Sequence, residues 1–244
     1  MPHITVVLNR KGGVGKSLIT VNLAAVYAEL KASTADNPTV AVVSIDPQAT
    51  SVEHADNARK KGNPVPFRVV NASGNVSQLR RLRRAKAEII IVDTPGFMPL
   101  KEEDETESID PLGDGTVGDS LRAILDVADD VIVPLECEGS AFRPTRVTVE
   151  RVLLPRQIPY GVLLNNWDPR DSEADMERTA SMARKRGWDL YNTTLRHYKP
   201  HTRGIVNGEF CTQYKQNPSA LKGKQDFLAL AAEHQLRRQQ TGRE

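Results

Sequence analysis

A chain of 244 residues and 27.0 kDa, 39% hydrophobic and 26% charged, can bury a full core and is too apolar for a disordered tail. Mean hydropathy is −0.44, and the longest apolar runs (Leu23–Ala28 and Phe227–Ala232) fall far short of the roughly 20 residues that span a bilayer, so no transmembrane chain is expected. No 7–15-residue apolar stretch follows Arg10 and Lys11 as a signal peptide requires, and Cys137 and Cys211 form no C-x-x-C pair. A reducing, cytoplasmic setting is the expectation. The net charge of +2 is unevenly spread: one lysine against eight acids leaves residues 101–119 at −7, and the rest of the chain at +9.

In chain order, short β-rich runs recur at Ile4–Leu8, Val40–Ile45, Phe67–Val70, Ile89–Val92, Val131–Leu135, Gly161–Asn165 and Leu190–Leu195. Most are continuous rather than alternating, as in strands buried on both faces of a parallel sheet. Helical spacing fills the gaps. Ile19, Leu23, Val26, Tyr27 and Leu30 make one stripe, and Leu121, Ile124, Leu125 and Ala128 another; Glu173–Arg186 ends at a capping Gly187. The alternation predicts a single α/β domain over residues 1–244, with a doubly wound, mostly parallel sheet and helices on both faces. A loop insertion rich in acid, Gly and Pro is expected at about 97–118.

The first run leads into Asn9-Arg10-Lys11-Gly12-Gly13-Val14-Gly15-Lys16-Ser17 and then a helix from Leu18. Glycines let backbone N–H groups approach phosphates, and a helix N-terminus adds partial positive charge. Lys16 can reach β/γ-phosphate oxygens and the Ser17 hydroxyl can ligate Mg²⁺. Arg10 stands where the common P-loop has glycine, and a second lysine, Lys11, precedes the double glycine.

With these residues the chain resembles the ParA family of deviant Walker A partition ATPases, in the small form without an N-terminal helix-turn-helix. The resemblance implies a P-loop fold, ATP and Mg²⁺ as cofactors, and a catalytic set of Lys11, Lys16 and Asp46. In the family the counterpart of Lys11 reaches across a nucleotide-sandwich dimer. Asp46, in Ser44-Ile45-Asp46-Pro47-Gln48, takes the family's water-positioning role, with Ser44 in place of the usual acid. Asp93, at the end of the fourth run, can hold Mg²⁺ through a water together with Ser17, and the Gly96 amide can sense a γ-phosphate. The ATP-binding set is then Lys11, Gly12, Gly13, Val14, Gly15, Lys16, Ser17, Leu18 and Gly96, with Asn165 and Asp168 at the base. Asn165-Asn166-Trp167-Asp168 and Asp93–Gly96 also resemble GTPase motifs, which leaves GTP open, although Asn166 replaces the lysine of those motifs.

Basic residues concentrate at Arg80, Arg81, Arg83, Arg84 and Lys86, on an expected helix, and along 141–244, which carries +7. The resemblance implies non-specific DNA binding through dispersed C-terminal cations, here Arg184, Lys185, Arg186, Arg196, Lys199, Arg203, Lys222 and Lys224. It also implies an ATP-state homodimer, a centromere-binding ParB-type adaptor that triggers hydrolysis, nucleoid association and no membrane partner. A MinD-like positioning ATPase on membranes is the alternative, resting on the weakly amphipathic tail Phe227–Arg238. A P-loop kinase or iron–sulfur reductase is the third class, the reductase disfavoured by the spacing of Cys137 and Cys211 and the kinase by the lack of a tyrosine-rich tail.

Overall fold

The computed structural model describes residues 1–97, 110–215 and 217–241. Seven strands, β1 (His3–Val7), β2 (Val40–Ser44), β3 (Arg68–Asn71), β4 (Ile89–Asp93), β5 (Asp130–Glu136), β6 (Tyr160–Trp167) and β7 (Leu190–Arg196), form one sheet in the order β3-β2-β4-β1-β5-β6-β7. Every pairing is parallel. β1, β2 and β4 are buried along nearly their whole length, which is why their sequences read as unbroken apolar runs. Register places Asp93 beside both Val7 of β1 and Ser44 of β2. The three loops that leave those strand ends therefore emerge side by side.

Each face of the sheet carries its own core. On one side α1 (Lys16–Leu30), α2 (Thr50–Lys60) and α8 (Pro218–Thr241) cover Val7, Val42 and Ile91. On the other, α4 (Gly115–Leu125), the helix that starts as α5 (Gly139–Arg146), and α6 (Glu173–Lys185) cover Val6, Val92 and Val133. α1 is buried from Ile19 through Ala28 instead of along one stripe, and Leu30 is exposed. A helix that is apolar all round lies between other elements, here between the sheet and α8. α5 contains Pro144 and runs on through a π-helical turn (Val147–Leu153) and a 3₁₀ turn (Leu154–Arg156).

Three expectations need correction. The helix expected around Arg80–Lys86 is broken: α3 (Val76–Leu79) ends at Arg80, and a 3₁₀ turn covers Leu82–Arg84. Leu79 and Leu82, three apart, are both buried, a spacing that a three-residue turn satisfies. The insertion expected at 97–118 is shorter at its end, because α4 starts at Gly115; residues 98–109 lie outside the described residues. The tail Phe227–Arg238 belongs to α8, where Phe227, Leu230, Ala231 and His234 are buried against the fold. Its apolar side is core. Among the described residues no helix is long and apolar enough to cross a membrane.

Candidate nucleotide site

Between β1 and α1 the chain turns through Gly13 (φ 80°) and Gly15 (φ 78°), left-handed conformations that glycine adopts without strain. A Cβ on Gly15 would also lie 2.7 Å from the Asn165 side chain. The loop is held from behind. Asn9 Nδ2 donates to Pro134 O (2.7 Å) and to Thr145 Oγ1 (2.8 Å), and the Arg10 amide donates to Thr148 Oγ1 (3.0 Å). From β6, Asn165 Nδ2 donates to Val14 O at 2.9 Å. Rigid elements on both sides thus fix the loop's shape.

A cleft of about 440 Å³ opens over this loop, lined by Gly12, Gly13, Gly15, Lys16, Ser17, Leu18, Asp46, Gln48 and the Thr94–Gly96 turn. Lys16 is buried, and its ammonium donates to Lys11 O at 2.9 Å. Burial pushes its pKa down to about 8, against the opposing pull of Asp93 and then Asp46. A cation held in this way is stabilised by an incoming anion. Val14 is fully buried and supports the turn with its side chain.

Ser17 Oγ donates to Asp93 Oδ1 at 3.1 Å. Burial lifts the Asp93 carboxyl to about 6, opposed by the Ser51 and Ser17 hydroxyls. Asp93 Oδ2 and the neighbouring Ser44 Oγ are buried with no hydrogen-bond partner. An orphaned carboxylate oxygen beside a serine hydroxyl suits a hard divalent cation and its waters, so Ser17 and Asp93 fit a Mg²⁺ site. Asp46, half-buried, accepts the Gln48 amide at 2.9 Å in an Asx turn and faces the same cleft. Gly96 closes the far wall, and the Phe97 amide donates to Arg10 O (3.2 Å).

Lys11 is absent from the cleft's lining, and residues that the motif did not indicate surround its ammonium: Ser140 Oγ at 3.0 Å, Glu138 Oε2 at 3.3 Å and Glu136 Oε2 at 3.5 Å. All three lie on β5 or just after it. β5 is the neighbour of β1, so its carboxyl end must flank the loop, and that adjacency is the signal which could have found them.

A second cavity of about 200 Å³ shares Gly13, Gly15, Leu18 and Ile205 with the first and runs on to Asn165, Asn166, Arg196, His197, His201 and Thr202. The sequence reading missed this wall where β7 leads into α7 (Lys199–Asn207). The structure separates the two base-reading candidates. Asn165 lines the cavity with its amide committed to the loop, whereas Asp168 is absent from the lining and is clamped by Arg170 (Nη2–Oδ2 2.5 Å), which holds its carboxyl far below the usual range.

The expected DNA-contacting cations fall into two groups. Arg196 is ion-paired to the buried Asp226 (Nε–Oδ2 3.0 Å), Arg186 to Glu150 (2.7 Å) and Lys224 to Glu29 (3.1 Å). Arg184 and Lys185 at the end of α6, Lys199 and Arg203 one turn apart on α7 (Lys199–Asn207), and Lys222 on α8 are exposed.

Residues 5–197 match the family described as CbiA: CobQ/CobB/MinD/ParA nucleotide binding domain. The chain is 28% identical over 233 residues to the maintenance of carboxysome distribution protein A of Gloeobacter kilaueensis, covering 95% of this chain and 94% of that one. Its fold is similar to that of the cell division ATPase MinD of Pyrococcus furiosus (TM-score 0.67, 18% identity, 96% of this chain and 99% of that one). It is also similar to a putative plasmid partition protein of Borrelia burgdorferi B31 bound to AMPPNP (TM-score 0.62, 16% identity, 96% and 100%). With a glycine loop, a buried lysine and a serine–carboxylate pair at the carboxyl ends of β1, β2 and β4, the chain belongs to the CobQ/CobB/MinD/ParA nucleotide-binding family.

Proposed function

We propose that this protein is a ParA-type positioning ATPase that binds ATP with Mg²⁺, dimerises in the ATP state and binds DNA without sequence preference. The observation that carries the reading is the convergence of Lys16, Ser17 and Asp46 on one cleft, with Asp93 buried behind it on Ser17 and the Lys11 carbonyl on the Lys16 ammonium. The loop amides and the α1 N-terminus cradle the β- and γ-phosphates, and Lys16 neutralises their charge. Ser17 and Asp93 would hold Mg²⁺, which would neutralise phosphate charge at the cleft. Asp46 orients the attacking water, and the base occupies the cavity beside Asn165, with ATP rather than GTP as nucleotide.

Lys11 crosses to the phosphates of a second copy, so dimerisation and nucleotide state are one event. The exposed cations on α6, α7 and α8 then meet the DNA backbone twice over, once from each copy. A cytoplasmic, nucleoid-bound protein that partitions a plasmid or chromosome through a centromere-binding ParB-type adaptor is the specific form we propose. The name of the Gloeobacter relative supports positioning as the broader role. Static light scattering and DNA anisotropy, each with Mg-ADP and with a slowly hydrolysed ATP analogue, test the reading. Dimers and DNA binding with the analogue alone are expected; a monomer in both nucleotides would refute it.

A further inference from the structure

At the amino end of the sheet, opposite the nucleotide cleft, His3 of β1, Asp130 of β5 and His234 of α8 meet. His3 Nε2 lies 2.8 Å and His234 Nε2 3.1 Å from the same carboxylate oxygen, Asp130 Oδ2. The ligand-type atoms of all three residues fall within 4.8 Å of one another. Residues 127 and 104 positions apart in the chain thereby present two imidazole nitrogens and a carboxylate to one point.

Two features of this cluster point to a cation. Asp130 Oδ1 is buried with no hydrogen-bond partner, although the same carboxylate's other oxygen faces two rings. The second is proton arithmetic at Tyr27. Its hydroxyl lies 2.7 Å from His234 Nδ1 and also within reach of Ala231 O at 3.3 Å. When the hydroxyl proton goes to Ala231 O, His234 carries its own proton at Nδ1 and its Nε2 lone pair is free for a cation; in the other tautomer Tyr27 donates to Nδ1 and Nε2–H donates to Asp130.

We propose that His3 Nε2, His234 Nε2 and Asp130 form a site for a borderline transition metal of the Zn²⁺ class, completed by water. Two imidazoles and one carboxylate are a donor set that such ions favour over Mg²⁺ or Ca²⁺. The surroundings supply the outer contacts that metal-bound histidines use: Tyr27 receives the His234 Nδ1–H, and Asp129 lies 3.9 Å from His3 Nδ1. Present separations of 2.8 and 3.1 Å need to open by only a few tenths of an ångström to reach the roughly 3.3 Å between ligands on a tetrahedral ion with bonds near 2.0–2.1 Å. Entry is available from two sides, through a cavity of about 330 Å³ that reaches Asp130 and His234 and one of about 200 Å³ that reaches His3 and Tyr27. The site joins the first strand, the strand beside it and the last helix, so its effect is to pin α8 to the sheet, independent of nucleotide.

The test uses untagged full-length protein, stripped with chelator and titrated with Co²⁺ or Zn²⁺. One Co²⁺ per chain with the intense visible absorption of a tetrahedral site is expected. Zn²⁺ at a hundredfold excess over its Kd should raise Tm by roughly 5–10 °C. His3→Gln changes a part-exposed ring and keeps a donor toward Asp130, so the variant should fold while losing both the absorption and the Zn²⁺ shift. Asp130→Asn is the second variant and should behave alike. A wild type with no Co²⁺ spectrum and no Zn²⁺ shift would overturn the site and leave a hydrogen-bonded triad. Equal metal binding by folded His3→Gln and Asp130→Asn would also overturn it, by placing the ion elsewhere.

Discussion

Gly96 and Gly12 meet backbone to backbone: a Cβ on Gly96 would lie 2.9 Å from both Cα and N of Gly12. The turn after β4 is thus seated directly on the phosphate loop, without an intervening side chain. Real Cβ atoms do not approach backbone so closely, so Gly96→Ala must push the two loops apart. Gly96→Ala should lower ATP hydrolysis by about tenfold or more, some 1.4 kcal/mol in the barrier, with ordinary thermal stability. Phosphate release alongside a melting curve checks it; full activity would show that the loops need not touch.

Lys16 and Asp46 should fail differently. Lys16→Ala removes the buried cation and should abolish nucleotide binding in calorimetry. Asp46→Ala leaves the loop and the serine–carboxylate pair in place, so it should bind ATP and turn over roughly tenfold more slowly or worse. Unchanged turnover in Asp46→Ala would remove its assigned role.

Both ends of the pH profile follow from burial. The Lys16 ammonium, at about 8 in the empty site, is favoured by phosphates, so nucleotide binding raises its pKa and takes up protons. About half a proton should be absorbed at pH 8, and affinity should fall up to tenfold per unit above it. Asp93, lifted to about 6, must be ionised to serve a cation, so Mg²⁺ affinity should fall, and more Mg²⁺ be needed for activity, as pH drops below 6. Calorimetry in two buffers of different ionisation enthalpy measures the proton count; no buffer dependence at pH 8 would contradict the Lys16 assignment.

Before Lys11 can serve a second copy it must leave Glu136, Glu138 and Ser140. Lys11→Ala should therefore stay monomeric with a slowly hydrolysed ATP analogue. Glu138→Gln, which releases one exposed ion pair, should tighten the ATP-state dimer by roughly two- to fivefold. Sedimentation of both variants against wild type distinguishes a bridging lysine from a merely structural one.

The cations divide by what they already touch. Lys199→Ala with Arg203→Ala should weaken DNA binding equally for unrelated duplexes and flatten the salt slope by roughly one unit per lost phosphate contact. Arg196→Ala should instead lower stability by about 1–3 kcal/mol, because the buried Asp226 loses the guanidinium and keeps only the residue-196 amide. Anisotropy across a salt series and chemical denaturation check the pair. Strong preference for one duplex would refute backbone binding.

Local chemistry was enough to read the seven strands, the glycine loop and the acidic strand ends from the chain itself. A run such as Ile89–Val92 is apolar because both its faces are covered, and Gly13 and Gly15 stand where the backbone takes a positive φ. Lys16, Ser17 and Asp93 stand out in the chain because each sits at a fixed step from a strand end, whereas Asp46 was picked out by the resemblance. Tertiary structure decided what those groups touch. Strand order, not sequence distance, put Glu136 and Ser140 on Lys11 and gave the Asn165 amide to Val14. It also divided the basic residues into ion-paired and exposed sets, and brought His3, Asp130 and His234 together from the two ends and the middle of the chain. Parallel crossovers return the chain to the same edge of the sheet after each helix, so the residues that meet there share no local pattern that a sequence could display.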